Sequence, residues 1–312
     1  MISYDDILQA QTRLRPFLSP TPLEFAPDLG ANVHLKLENA NKTHSFKIRG
    51  ALNAVLSLDE EAKTRGIVTA SSGNHAQGVA YASYLTDVPA TILMPMNTPQ
   101  KKVKGSQRWG ASVMLTGSNY DETEARGRDM ERSEGQTFIS PYNDARVIAG
   151  AGTIGLEIAE QCPDVQRVIV CVSGGGLISG IGIAIKHLLP HVELIGVNAE
   201  SAPTMYNVIH STHKPEVWET LAEALSGDIE KGSITLELAP RLIDTMVTVS
   251  EKQIADAMRF MLETQGWLVE GGGAVGVAAW LSGVIPHDDQ PTVIVVSGGN
   301  VDMGNVLKVI TT

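Results

Sequence analysis

Three short apolar, β-branched runs in this chain each stop at a serine followed by glycine. They are Ile67-Val68-Thr69-Ala70 before Ser71-Ser72-Gly73-Asn74-His75, Val168-Ile169-Val170-Cys171-Val172 before Ser173-Gly174-Gly175-Gly176, and Val293-Ile294-Val295-Val296 before Ser297-Gly298-Gly299-Asn300. Unbroken apolarity is how a strand covered on both faces reads, and such strands belong to parallel sheets flanked by helices. Open sheets of this kind bind ligands beyond the carboxyl ends of their strands, so the three loops are candidates to converge on one small molecule. Taken singly, each is equally an ordinary tight turn, because glycine is the usual turn residue.

The second loop says most, because Ser173 to Gly176 runs into a helical pattern from Leu177 to Lys186. Strand, glycines and helix make an anion cradle: unpaired backbone N–H groups point at the ligand, and the helix dipole favours negative charge by ~0.3–1 kcal/mol. The lysine of a Walker A loop is missing, which argues against a nucleoside triphosphate. Gly174, Gly176 and Gly180 loosely imitate a dinucleotide fingerprint, with Glu200 after the next strand, Leu194 to Asn198, as the ribose-binding acid. A nicotinamide-dependent dehydrogenase therefore stays open on these residues alone.

A second chemical signal is Thr43-His44-Ser45-Phe46-Lys47-Ile48-Arg49-Gly50-Ala51, which sets one lysine among a hydroxyl, an aromatic ring and a helix start. Desolvation or a neighbouring cation makes a lysine nucleophilic at neutral pH, and Phe46, Ile48 and Arg49 are placed to supply both.

Composition narrows the classes further. A chain of 312 residues with 43% hydrophobic and 19% charged residues reads as an ordinary globular protein with two lobes sharing a cleft. The net charge of −11, from 24 basic and 35 acidic residues, argues against a nucleic-acid partner. Cys162 and Cys171 are the only cysteines, too few for a disulfide framework or a zinc site, and a reducing cytoplasm suits them. The polar, acidic start Met1-Ile2-Ser3-Tyr4-Asp5-Asp6-Ile7 is unlike a signal peptide. The most membrane-like stretch, Trp267 to Ile285, carries Glu270 and many glycines, and reads as a buried loop and helix. No membrane partner is expected.

Along the chain, Ser3 caps an amphipathic helix through Ile7, Leu8 and Leu14, and a strand follows at Val33 to Glu38. Residues 65–144 alternate strand and helix: Ile67 to Ala70, His75 to Leu85, Ala90 to Met94, Ser112 to Leu115, and a charge-dense helix from Asp121 to Glu134 read as a solvated face. This reads as a smaller lobe, with residues 1–64 and 145–312 as a larger one. The larger lobe resumes with Ile148 to Ala159 and includes a capping box at Ser250 to Gln253, whose helix puts Ile254, Ala257, Met258, Met261 and Leu262 on one face before Gly266. Gly271-Gly272-Gly273 implies close backbone packing beside the cleft. His210 and His213 lie in an exposed-loop pattern without a third metal ligand, and His187 and His191 mark a helix end. No serine sits in the Gly-x-Ser-x-Gly frame of a hydrolase.

Together these residues resemble the pyridoxal-phosphate-dependent threonine/serine dehydratases, whose fold type II also includes serine racemase and tryptophan synthase β chains. The resemblance rests on Ser45 to Gly50 as the Ser-Phe-Lys-x-Arg-Gly segment, on Ser71 to His75, on Ser173 to Leu177 and on Ser297. It implies an α/β fold of two open, twisted, mainly parallel sheets flanked by helices, with pyridoxal phosphate between the lobes and the larger lobe holding it. It also implies that Lys47 holds the cofactor covalently and moves the α-proton, and that Phe46 lies against the cofactor. Asn74 would contact the 3′ oxygen, Ser173, Gly174, Gly175, Gly176 and Leu177 the phosphate, and Ser297 the pyridine nitrogen. Ser71, Ser72, Asn74 and His75 would meet the amino-acid substrate.

Some positions depart from the family pattern. His44 stands where a glycine is usual, which suggests different electrostatics near Lys47. Ser173 replaces the first glycine of a four-glycine loop in some relatives. Ser72 matches the acid/base serine of the racemases, where many dehydratases have alanine. Glu200 matches a racemase metal ligand, but Tyr206 falls where an aspartate would be, so a metal is left unassigned. The implied activity is a dehydratase (ammonia-lyase) acting on L-threonine and/or L-serine, with serine racemase or hydroxyaspartate dehydratase as alternatives. The implied assembly is a homodimer or larger.

Overall fold

In a computed structural model of the chain, which describes residues 2–311, the three apolar runs are strands. In chain order the strands are β1 (Leu23–Phe25), β2 (Val33–Leu37), β3 (Ile67–Ala70), β4 (Ala90–Met94), β5 (Ser112–Leu115), β6 (Thr137–Phe138), β7 (Arg167–Cys171), β8 (Glu193–Ala199), β9 (Thr245–Val249) and β10 (Thr292–Val296). The helices are α1 (Tyr4–Leu14), α2 (Lys47–Leu56), α3 (Glu60–Arg65), α4 (Asn74–Thr86), α5 (Gln100–Gln107), α6 (Tyr120–Glu134), α7 (Ala145–Gln161), α8 (Gly176–Leu188), α9 (Thr204–His210), α10 (Thr235–Leu242), α11 (Glu251–Glu263), α12 (Gly271–Leu281) and α13 (Met303–Thr311). The caps read from sequence are in place. Ser3 and Asp6 close a capping box on α1, and Ser250 and Gln253 close one on α11.

Packing divides the chain into two compact units: residues up to Ser19 with Lys47–Ala151, and Pro20–Phe46 with Gly152 onward. The first holds a four-stranded parallel sheet in the order β5-β4-β3-β6. On one face the apolar sides of α2 and α4, through Ile48, Leu52, Val55 and Val79, bury against Ile67, Ile92 and Met94. Elsewhere in the unit, Met130 of α6 joins a second cluster with Val68, Leu93 and Phe138, while most of α6 is exposed or half-buried, as its charge density indicates. The sequence boundaries at 65 and 144 differ from this grouping. α2 falls with the four-stranded sheet because its apolar face closes that sheet's core.

The second unit holds a six-stranded sheet in the order β1-β2-β10-β7-β8-β9, parallel throughout except that β1 runs antiparallel to β2. β7 and β10 are buried along their whole length. α12 is buried nearly all round, which is why the Trp267 to Ile285 stretch is so apolar; Gly276 lets it approach Ile294, and the Trp280 indole N–H donates to Leu29 O at 2.8 Å. Among the described residues no helix is long and apolar enough to cross a membrane.

Beneath β2 lies a buried polar hub. Lys36, with no exposed surface, donates to Glu157 at 2.6 Å, Gln161 at 2.7 Å and Thr21 O at 2.8 Å. The Thr21 hydroxyl donates to Glu38 at 2.6 Å, and the Asn41 side chain donates to the other Glu38 oxygen at 2.8 Å. A buried ammonium is tolerated only when its donors are met in this way.

Candidate active site

In the second unit, the parallel pairing of β2, β10 and β7 brings their carboxyl ends to one edge of the sheet. Two of the three serine–glycine loops therefore open side by side, next to the segment leading from β2 to the lysine. That segment is tied to the Ser297 loop by a short ladder. Phe46 N–H donates to Ser297 O at 3.0 Å, Gly299 N–H to His44 O at 2.9 Å, and the Asn300 side chain to Thr43 O at 2.8 Å. From the other side Glu270 N–H donates to Gly298 O at 3.2 Å. Gly273 sits so close that a Cβ there would lie 2.4 Å from Gly298 O, which explains one of the three consecutive glycines. The ladder bonds, at about 0.5–1.5 kcal/mol net each, hold Ser297 and Phe46 as one rigid piece.

His44 explains its own oddity. Its φ is 55°, in the left-handed region where a glycine costs nothing and histidine is among the better-tolerated alternatives. The departure from the usual glycine therefore leaves the backbone turn intact.

The phosphate-type loop follows β7 as the sequence implies. Gly175 has φ 84°, and a Cβ on it would meet Met205 Cε at 2.9 Å and Thr235 Cβ at 3.1 Å, so only glycine fits. α8 begins at Gly176 without a side-chain cap, leaving its first amides open to an anion. The hydroxyls of Ser233 and Thr235, both buried beside this loop, bond one another at 2.7 Å. Sequence reasoning passed over them. The signal was hydroxyl residues just ahead of and at a helix start, a spacing too common to single out.

In the first unit, Lys47 opens α2 and Ser71 to His75 join β3 to α4. Lys47 Nζ donates to Pro141 O at 2.8 Å. That partner lies 94 residues away, and nothing local in the sequence signals it. Ser71 Oγ accepts from Gly73 N–H at 3.2 Å, shaping the turn, while Ser72 and Asn74 are half-buried. His75 is buried, and its Nε2 lies 3.0 Å from Ile139 O. Since a carbonyl only accepts, Nε2 carries the proton and Nδ1 is a bare acceptor, buried without a partner. Burial first, and then the charge of Lys47, push the imidazole down to about 3, so the ring is neutral.

The predicted site residues thus fall into two sets. Lys47, Ser71, Ser72, Asn74 and His75 belong to the first unit, and Phe46, Ser173 to Leu177 and Ser297 to the second. Among the described residues no group of three or more histidine, cysteine or acidic side chains is arranged to hold a metal, and Glu200 is exposed.

In the second unit, a glycine-rich loop after a buried parallel strand, with a serine loop opening beside it, is the setting for a phosphorylated ligand. The family model described as pyridoxal-phosphate dependent enzyme matches residues 14–298, and the chain belongs to that family. An L-threonine ammonia-lyase of Thermotoga maritima is 43% identical over 317 residues, covering 99% of this chain and 78% of that protein. Maize serine racemase superposes with a TM-score of 0.91 at 32% identity, covering 99% of this chain and 97% of that one. The processed form of threonine deaminase isoform 2 from Solanum lycopersicum does so with 0.89 at 32%, covering 99% and 88%. The fold is accordingly fold type II, and the nicotinamide reading is set aside. The residues fit the cofactor: α8 begins at Gly176 with no side chain capping its first amides, and Ser179 Oγ, three residues on, is buried without a partner.

Proposed function

We propose that this protein is an ammonia-lyase converting L-threonine and/or L-serine to a 2-oxo acid and ammonia. The observation that carries the reading is its likeness, along 99% of its length, to an L-threonine ammonia-lyase, in a chain whose Lys47 heads a helix with Nζ held at Pro141 O. Pyridoxal phosphate, when bound, supplies the electron sink. The amides of residues 173–177 would hold its phosphate, Ser297 would partner its ring nitrogen, and Phe46 and Asn74 would contribute to holding it. Lys47 holds the cofactor at rest and carries the α-proton at Nζ during turnover. A hydroxyl at residue 297, unlike a carboxylate, would not keep the ring nitrogen protonated, a setting that would suit loss of a β-hydroxyl. The substrate carboxylate meets Ser71, Ser72, Asn74 and the His75 amide at the start of α4. The neutral imidazole of His75, its one proton engaged by Ile139 O, has no donor left for a carboxylate.

A second reading, serine racemase, is favoured by Ser72 and by the TM-score of 0.91 to maize serine racemase. A panel of L-threonine, L-serine and hydroxyaspartate, scored for 2-oxo acid release and for chirality of the remaining amino acid, separates the readings. Lys47→Ala should lose both turnover and the yellow colour of the holoenzyme, and full activity in that variant would end the proposal. Ser72→Ala should spare dehydration and remove any D-serine formation. The chain is also proposed to work in the cytoplasm as a homodimer or larger assembly, which light scattering tests directly.

A further inference from the structure

The hydroxyls around the phosphate-type loop are unequally engaged. Those of Ser233 and Thr235 bond one another at 2.7 Å, and Thr235, with Met205, walls one side of Gly175. Ser179 is different: it has no exposed surface, and its Oγ has no partner. A serine inside a helix ordinarily turns its hydroxyl to the carbonyl four residues back. Here that carbonyl, Gly175 O, takes the Ser179 backbone N–H at 3.0 Å, and the side chain makes no bond to it. Its helical neighbours Leu177, Ile178 and Ile181 are all buried and apolar, so alanine at 179 would serve packing equally well. Helical Cα–Cβ bonds tilt toward the N-terminus, which sets the residue 179 side chain over the turn containing residues 175 and 176.

We infer that Ser179 donates its hydroxyl to the phosphate held by residues 173–177, adding a side-chain donor to the backbone amides of that loop. This rests on the reading of that loop as the phosphate site. The donor is aimed at a dianion in a water-poor setting, where a hydrogen bond is stronger than a neutral one. It acts on cofactor retention rather than on any proton transfer, so it is a positioning residue.

The test is titration of the apoprotein with pyridoxal phosphate and, separately, with pyridoxal, which forms the same bond to Lys47 but lacks the phosphate. Ser179→Ala should weaken pyridoxal phosphate about tenfold, or about 1.4 kcal/mol, and leave pyridoxal unchanged. Ser179→Thr, which keeps the hydroxyl, should retain the wild-type ratio of the two affinities and guards against a folding defect in the alanine variant. An unchanged affinity for pyridoxal phosphate in Ser179→Ala, or equal losses for both ligands, overturns the inference. Wild-type protein that binds pyridoxal as tightly as the phosphate ester overturns the loop assignment itself, an outcome distinguishable from the first two.

Discussion

His75 carries the largest consequence of any single side chain near the lysine. Its imidazole is pushed down to about 3 in the folded protein, against 6.5 for an unperturbed histidine. Between those values the unfolded chain takes up a proton that the folded chain refuses, so this group's contribution to stability is full above about pH 6.5 and is lost as the pH falls. The loss runs at about 1.4 kcal/mol per pH unit. Urea unfolding at pH 7, 5.5 and 4.5 should show that slope, and His75→Gln, which keeps a donor for Ile139 O, should lack it. Identical slopes in the two proteins would contradict the assignment. The position of this histidine, just after a strand-ending serine–glycine loop, was legible. Its neutrality was not, because Ile139 lies 64 residues away and burial is a property of the packed fold.

At the level of elements, β2 and α7 are joined by the Lys36–Glu157 pair, whose partners lie 121 residues apart. The sequence shows a strand from Val33 to Glu38, but His34 and Lys36 alternate as an outward face would; only the distant carboxylate makes Lys36 a core residue. Breaking one member should therefore be severe. Lys36→Met should cost about 3–5 kcal/mol, since it strands the Glu157 charge, and the double variant Lys36→Met/Glu157→Leu should cost less than the sum of the single changes. A double-mutant cycle by urea denaturation measures the difference, and strict additivity would deny the pair its coupling. Elements with strong local punctuation, such as α1, α11 and β3, were readable within a residue or two. α10 was not, since its interior Pro240 speaks against a helix.

For the molecule as a whole, the apolar runs made the parallel α/β class legible, and the serine–glycine loops marked where three of its strands end. Which helices accompany which sheet was not, because α2 owes its place to side-chain complementarity with α4 and the β3–β4 face rather than to any boundary signal. Cofactor binding should register as global stability. With free pyridoxal phosphate at 100 times its dissociation constant, mass action adds about 2.7 kcal/mol to the folded state. Thermal melts of apoprotein, holoenzyme and Lys47→Ala at matched cofactor concentration should rank holoenzyme highest. A melting temperature indifferent to the cofactor would show that ligand and fold are uncoupled.

The helix that begins at Lys47 is seated where neighbours have no side chains to spare. A Cβ on Gly50 would lie 2.7 Å from Val147 O, one on Gly150 would lie 2.5 Å from Arg49 O, and one on Gly78 would lie 3.1 Å from the Lys47 carbonyl. A part mounted this way has little backlash, and a single added methyl must shift it or its neighbours. Alanine at 50, 78 or 150 should thus yield protein that is slow out of proportion to its loss of stability, since a misplacement of about 1 Å costs on the order of a hundredfold in rate. Steady-state kinetics set beside urea midpoints for the three variants would reveal that mismatch.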